Sequence, residues 1–163
     1  MSTLKSIGSV DHFDVANYFL AVANETGDVL TNLKLQKLVY YAQAWYLANF
    51  KNPIFKADFE AWIHGPVIPE LYQKYKVNGS APIVTSLKLA EINLETSLIS
   101  FLSEVAKVYM PYTAFELEAM THREKPWTDA RDGYDPDQPC EKVITKNSMR
   151  DYYGEKITKD KTN

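Results

Sequence analysis

The densest apolar patterning in the chain lies between Leu30 and Tyr75. Within it Leu35, Leu38, Val39, Ala42, Trp45 and Tyr46 recur at i, i+3, i+4, i+7, i+10 and i+11, the spacing that gathers side chains on one face of an α-helix. Leu33, Tyr40, Tyr41 and Leu47 occupy much of the remaining circumference, so Lys34, Gln36, Lys37 and Gln43 are the few polar positions. A helix apolar on most sides is enclosed by neighbours. The pattern therefore predicts a central helix over about 32–50, opened by Thr31 or Asn32 as N-cap.

The flanking segments read as further helices. Val15, Ala16, Phe19, Leu20, Val22 and Ala23 form a stripe whose start Ser9 or Asp11 can cap and whose end Gly27 marks, with residues 1–8 loose before it. Leu94, Leu98, Phe101, Leu102, Val105, Val108 and Tyr109 predict a second long helix, which Pro111 stops. Thr113 and Glu116 have capping-box spacing and start a helix that buries Leu117 and Met120. Lys125-Pro126 breaks that helix, and Trp127 begins a short helical turn. Ile144 and Met149 bracket Thr145 as a hydrophobic staple for a last helix carrying Tyr152, Tyr153 and Ile157, before a frayed KDKTN tail.

Between the two long helices the period is lost. Phe55, Phe59, Ala61, Trp62 and Ile63 lead into His64-Gly65-Pro66-Val67, where Gly permits positive φ and Pro fixes φ and removes a donor, so the chain turns a corner. Residues 54–63 are expected to be extended, and Pro69 suits the first turn of a short helix with Leu71, Tyr72 and Tyr75. Ile83-Val84 is long enough for an edge pairing at most. Asp132–Pro139 is turn-forming throughout and reads as an exposed loop. The expected fold is mainly α: a single compact helical domain over residues 1–163 around the central helix, with a minor β element.

Length and composition fit this picture: 163 residues, 45% hydrophobic and 24% charged, suit one domain with its own core. The formal net charge is −3, and Lys and Arg never run beyond a pair, which argues against nucleic acid as the main partner. Cys140 is the only cysteine, which excludes an intramolecular disulfide and suggests a reducing, cytoplasmic setting. No apolar run reaches membrane-spanning length, so no membrane partner is expected.

Candidate chemistry is sparse. His12, His64 and His122 with Cys140 form no CxxC, HxxxH or HExxH pattern, and no GxSxG, P-loop or GxGxxG occurs, so neither metal, cofactor nor catalysis is expected. Cys140 reads as incidental, beside Pro139 at a polar loop. His64 is expected to bond backbone groups freed by the Gly65-Pro66 turn, and His122 to meet the last carbonyls of a helix. Tyr40 and Tyr41 point about 100° apart on a helix. One of them is therefore free to reach a surface, and Lys34, Lys37 and Tyr41 form a candidate partner-binding stripe.

Three stretches together carry a resemblance. Leu33-Lys34-Leu35-Gln36-Lys37-Leu38 with Tyr40-Tyr41-Ala42-Gln43, then Phe59-Glu60-Ala61-Trp62 with His64-Gly65-Pro66-Val67, then Thr121-His122 with Pro126-Trp127, resemble the Panacea domain, the SocA-like, phage-associated antitoxin family, over about residues 10–131. The loop and helix of 132–157 match less clearly. The resemblance implies an antitoxin of a bacterial or prophage toxin–antitoxin pair that neutralises a cognate protein toxin by direct binding. It also implies an alternative, a proteolytic adaptor whose further partner is a protease. Its signature residues Leu35, Gln36, Leu38, Trp62, His64, Gly65, Pro66, His122, Pro126 and Trp127 are read as structural first. A hydrolase using His64 and His122 across one cleft is a third reading. A DNA-binding autorepressor would need a basic recognition helix, which is not found.

Overall fold

The computed structural model describes the backbone of residues 3–162 and side chains through Lys159. Its helices are α1 (His12–Thr26), α2 (Asn32–Phe50), α3 (Pro69–Tyr75), α4 (Thr96–Tyr109), α5 (Ala114–His122), α6 (Lys125–Ala130) and α7 (Lys146–Thr162). Three short strands, β1 (Phe59–Trp62), β2 (Gly65–Val67) and β3 (Val143–Ile144), form one antiparallel sheet in the order β2-β1-β3. The fold is mainly α with a minor β element, as the patterning predicts.

The helix ends follow local chemistry. Asp11 caps α1 in a reciprocal box with Asp14, and Gly27 ends it at φ 77°. Thr31 caps α2 through the Lys34 amide, and Thr113 and Glu116 exchange the two bonds of a capping box at α5. The Thr145 hydroxyl accepts from the Ser148 amide at the start of α7.

Every residue of α2 from Leu35 to Ala44 is fully buried. The helix is enclosed by α7 along its length, and by α1, α4, α5 and the sheet on its other sides. Trp45 and Tyr46 sit half-buried on the rim of this core. Trp45 donates its indole N–H to the Tyr109 hydroxyl and packs 5.1 Å from the Tyr153 ring. Trp45→Ala is expected to cost about 3 kcal/mol, the lower end of the range for a core tryptophan because of its partial exposure, as read by denaturant unfolding. A loss under about 1 kcal/mol would contradict the packing described.

The polar residues of α2 brace the chain that crosses it. Gln36 Oε1 accepts from the Ile68 amide at 3.0 Å, and Lys37 Nζ donates to the Pro66 carbonyl at 3.2 Å. Gln43 accepts from the Ile54 amide and donates to the Phe55 carbonyl. Asn32 donates to the Tyr72 carbonyl and accepts from Gln36. Buried polar groups require such partners, and here most are backbone groups outside regular structure, at a sheet edge or in the last turn of α3.

Four local expectations are corrected. Residues 3–8 are anchored, because Lys5 exchanges backbone bonds with Asn93 and Glu95 and pairs with Asp14 at 3.0 Å; Met1 and Ser2 lie outside the described residues. The KDKTN tail continues the backbone of α7 through Thr162, and Asn163 lies outside the described residues. Ile83-Val84 forms no strand: the Ile83 amide reaches the Leu30 carbonyl while Val84 is exposed. Finally, β3 pairs Ile144 with Phe59, a strand too short to announce itself by alternation.

Candidate partner-binding site

The first and second signature stretches meet at the β1–β2 turn. Gly65 has φ +104°, and a Cβ there would overlap Lys37 Cε and lie 2.9 Å from Thr121 Oγ1. A glycine is required at this point both by the backbone conformation and by the close approach of α2 and α5. Leu35 and Leu38 are core residues of α2, and Pro66, Pro126 and Trp127 are buried around the same corner.

The expected surface stripe does not exist. Lys37 and Tyr41 are fully buried, because the neighbours of α2 close over its whole circumference. Lys34 is half-buried and donates to the Met110 carbonyl at 2.7 Å, where its charge faces the C-terminal end of α4. Burial lowers its pKa, with Asp28 and Glu116 opposing. The notion that one of Tyr40 and Tyr41 reaches the surface fails for the same reason.

Those tyrosines belong to an interior polar cluster. Tyr41 stacks on Tyr109 at 4.1 Å and donates to Glu124 Oε1 at 2.7 Å, the same oxygen that accepts from Tyr153 at 2.9 Å. The Tyr40 and Tyr153 hydroxyls lie 3.1 Å apart. Burial raises the Glu124 pKa, the two tyrosine hydrogen bonds opposing it, and burial raises all four phenols. The cluster ties α2, α4, α7 and the start of α6 together. The sequence carries no local mark of it, since Glu124 lies in a charged run, Arg123-Glu124-Lys125.

The corner also gathers the two histidines. His64 Nδ1 lies 2.8 Å from Glu118 Oε1, and His122 Nε2 lies 3.8 Å from the same oxygen. His64 thus pairs with a carboxylate of α5 rather than with turn backbone, because its exposed ring swings away from the turn. His122 ends α5 as expected, but its half-buried ring stacks at 4.1 Å on the Trp127 ring instead of meeting the last carbonyls of the helix, and burial lowers its pKa against the pull of Glu118. Trp127 donates to the Trp62 carbonyl at 2.8 Å. Arg131 is buried against the Trp127 ring and reaches the carbonyls of Ala61, Asp135 and Gln138, fastening the 132–139 loop to β1. Nothing in the periodicity singles out Glu118 or Arg131.

Beside this corner lies an open groove of about 470 Å³. Leu33, Trp62, Ile63, Val67 and Tyr72 give it apolar walls, and Trp62 packs edge-on to Tyr72 at 5.0 Å. Asn32 and Gln36 reach it from α2, His64 stands at its mouth, and Pro139, Cys140 and Glu141 close one side. His122 is not among its lining residues. Cys140, read from the sequence as incidental, is buried in this wall. Among the described residues no helix is long and apolar enough to cross a membrane.

A model of the family described as "Antitoxin SocA-like, Panacea domain" matches residues 35–128, which run from α2 into α6 and take in the whole corner. The chain belongs to this SocA-like antitoxin family. Antitoxin SocA of Caulobacter vibrioides (strain NA1000 / CB15N) is 40% identical over 76 residues, covering 47% of this chain and 40% of that protein. Less than half of that relative's length is therefore spanned. No solved structure matches. In this SocA-like chain α1, the 132–142 segment and α7 fall outside the matched residues, although α7 completes the enclosure of α2.

Proposed function

We propose that this protein is a cytoplasmic antitoxin that neutralises a cognate protein toxin by direct binding, without turning over a substrate. The observation that carries this reading is the groove. Signature stretches read as structural first also contribute Leu33 and Trp62, with the neighbouring Ile63 and Tyr72, to one concave, apolar surface. Large apolar and aromatic side chains in such a place are what binding hot spots are made of. The hydrolase reading draws less support, because a general base must reach its substrate and only one of the two histidines borders the groove.

Co-expression with the product of the neighbouring gene should restore growth from that product's toxicity and yield a complex on co-purification. Leu33→Asp, with the helical spectrum intact, should abolish rescue and weaken binding by at least about tenfold, since hot-spot losses exceed 1.4 kcal/mol. Absence of both rescue and complex with the wild-type chain would sink the proposal. The adaptor alternative separates from it by one readout: an adaptor shortens the toxin's lifetime in cells, and an inhibitor leaves it unchanged.

A further inference from the structure

The groove has an asymmetric charge. Its one closing wall continues from the loop that Arg131 fastens to Ala61, the residue next to Trp62 in the groove. Pro139, Cys140 and Glu141 of that wall line the groove, and the 132–142 segment they belong to carries Asp132, Asp135, Asp137 and Glu141, all exposed, against Lys142 alone. Arg131 does not cancel them by pairing, because its side-chain bonds go to backbone carbonyls and none to these carboxylates. A further carboxylate, Glu60, accepts from the Trp62 indole N–H at 2.9 Å. An apolar trough with Glu141 on its wall and an acidic segment leading to it complements a segment that alternates large apolar side chains with lysine or arginine.

We propose that the groove receives such a segment of the partner protein: apolar anchors seated on Leu33, Trp62 and Tyr72, and basic side chains facing the 132–142 wall. This inference rests on the reading of the groove as the toxin-binding surface, and it names the chemistry of the segment that occupies it. The apolar contacts set how long the complex lasts, and the carboxylates set which segments arrive and in which direction they lie.

The test uses the full chain and two synthetic dodecapeptides, one alternating leucine and tryptophan with lysine, the other carrying glutamate in place of lysine. Binding is followed by calorimetry and by the NMR shift of the Trp62 indole N–H, assigned among the three tryptophans with Trp62→Phe. The lysine peptide should bind at least about tenfold tighter than its twin, weaken as salt is raised, and move the Trp62 signal. Asp135→Lys/Asp137→Lys/Glu141→Lys should remove that preference, and Leu33→Arg should remove binding to either peptide. Equal binding of the two peptides, no binding, or shifts confined to residues away from Trp62 would each overturn the inference. So would a self-association of the chain that Leu33→Arg abolishes and the lysine peptide fails to compete. With the toxin itself, unchanged affinity in the charge-reversed triple variant refutes this inference and leaves the antitoxin reading standing. Failure of the wild-type chain to bind any toxin refutes that reading instead, and the peptide preference then decides this one.

Discussion

Gly65→Val is expected to remove a large part of the protein's stability. Two costs add. The first is a β-branched residue at φ +104°, a conformation that L side chains rarely adopt. The second is the overlap of its Cβ with Lys37 Cε and its approach to Thr121 Oγ1, which forces the fully buried end of Lys37 to shift away from its bond to the Pro66 carbonyl. Strain of about 1–3 kcal/mol and overpacking of a similar size give a total of roughly 2–6 kcal/mol, against a typical domain stability of about 5–15. Chemical denaturation and the dispersion of the amide NMR spectrum measure it, and Gly65→Ala should fall between the two proteins. A Gly65→Val chain with wild-type stability would show that the corner is laxer than its geometry implies.

Lys37→Met should stabilise the protein at neutral and acidic pH. Lys37 is fully buried, and loss of hydration pushes its pKa down to about 7 from the ordinary 10.5, with only Glu118 pulling it back. Between those two values the unfolded chain binds more protons than the folded one, so stability rises with pH across that window. Below about pH 7 both states are protonated and the cost of burying the charge is felt in full, on the order of 3–5 kcal/mol. Methionine has a similar length and no charge. It should recover roughly 2–4 kcal/mol at pH 6, less what is lost with the bond to the Pro66 carbonyl, and flatten the profile between pH 7 and 9.5. Urea unfolding of both proteins across that range is the measurement. A flat wild-type profile, with no gain in the variant, would mean that the ammonium is well solvated in place.

The helical frame was legible because its signals are local. The i, i+3, i+4 recurrence of Leu35–Tyr46, the capping box at Thr113 and Glu116, and the Gly65-Pro66 corner each act within a few residues, and each corresponds to a formed element. The site was harder to read because burial of a polar residue is decided by what packs on it. Lys37 and Tyr41 look like surface positions until α7 and α5 are brought over α2, and those contacts span about a hundred residues of sequence. For the same reason Glu118, Glu124 and Arg131 passed unnoticed: their partners lie at Tyr41, His64, Ala61 and Tyr153, and no spacing rule connects them. The groove itself draws on separated stretches, and while Leu33–Gln36 and Trp62–Val67 were conspicuous, Gly79-Ser80 and Pro139–Glu141 carried no pattern that placed them beside the others.

The braces that Gln36 and Lys37 place on Ile68 and Pro66 also determine how other proteins can meet this sheet. Pro66 has no amide hydrogen, its carbonyl is taken by Lys37, and the next free donor, Ile68 N, is taken by Gln36. Strand β2 is therefore sealed against an incoming strand, and a partner cannot be recruited there by backbone pairing, which reads little sequence. Recognition on this face is left to side chains. On the proposed reading of the groove, exchanging Leu33 or Trp62 would redirect the protein to a different partner while Asn32, Gln36 and Lys37 keep the scaffold fixed.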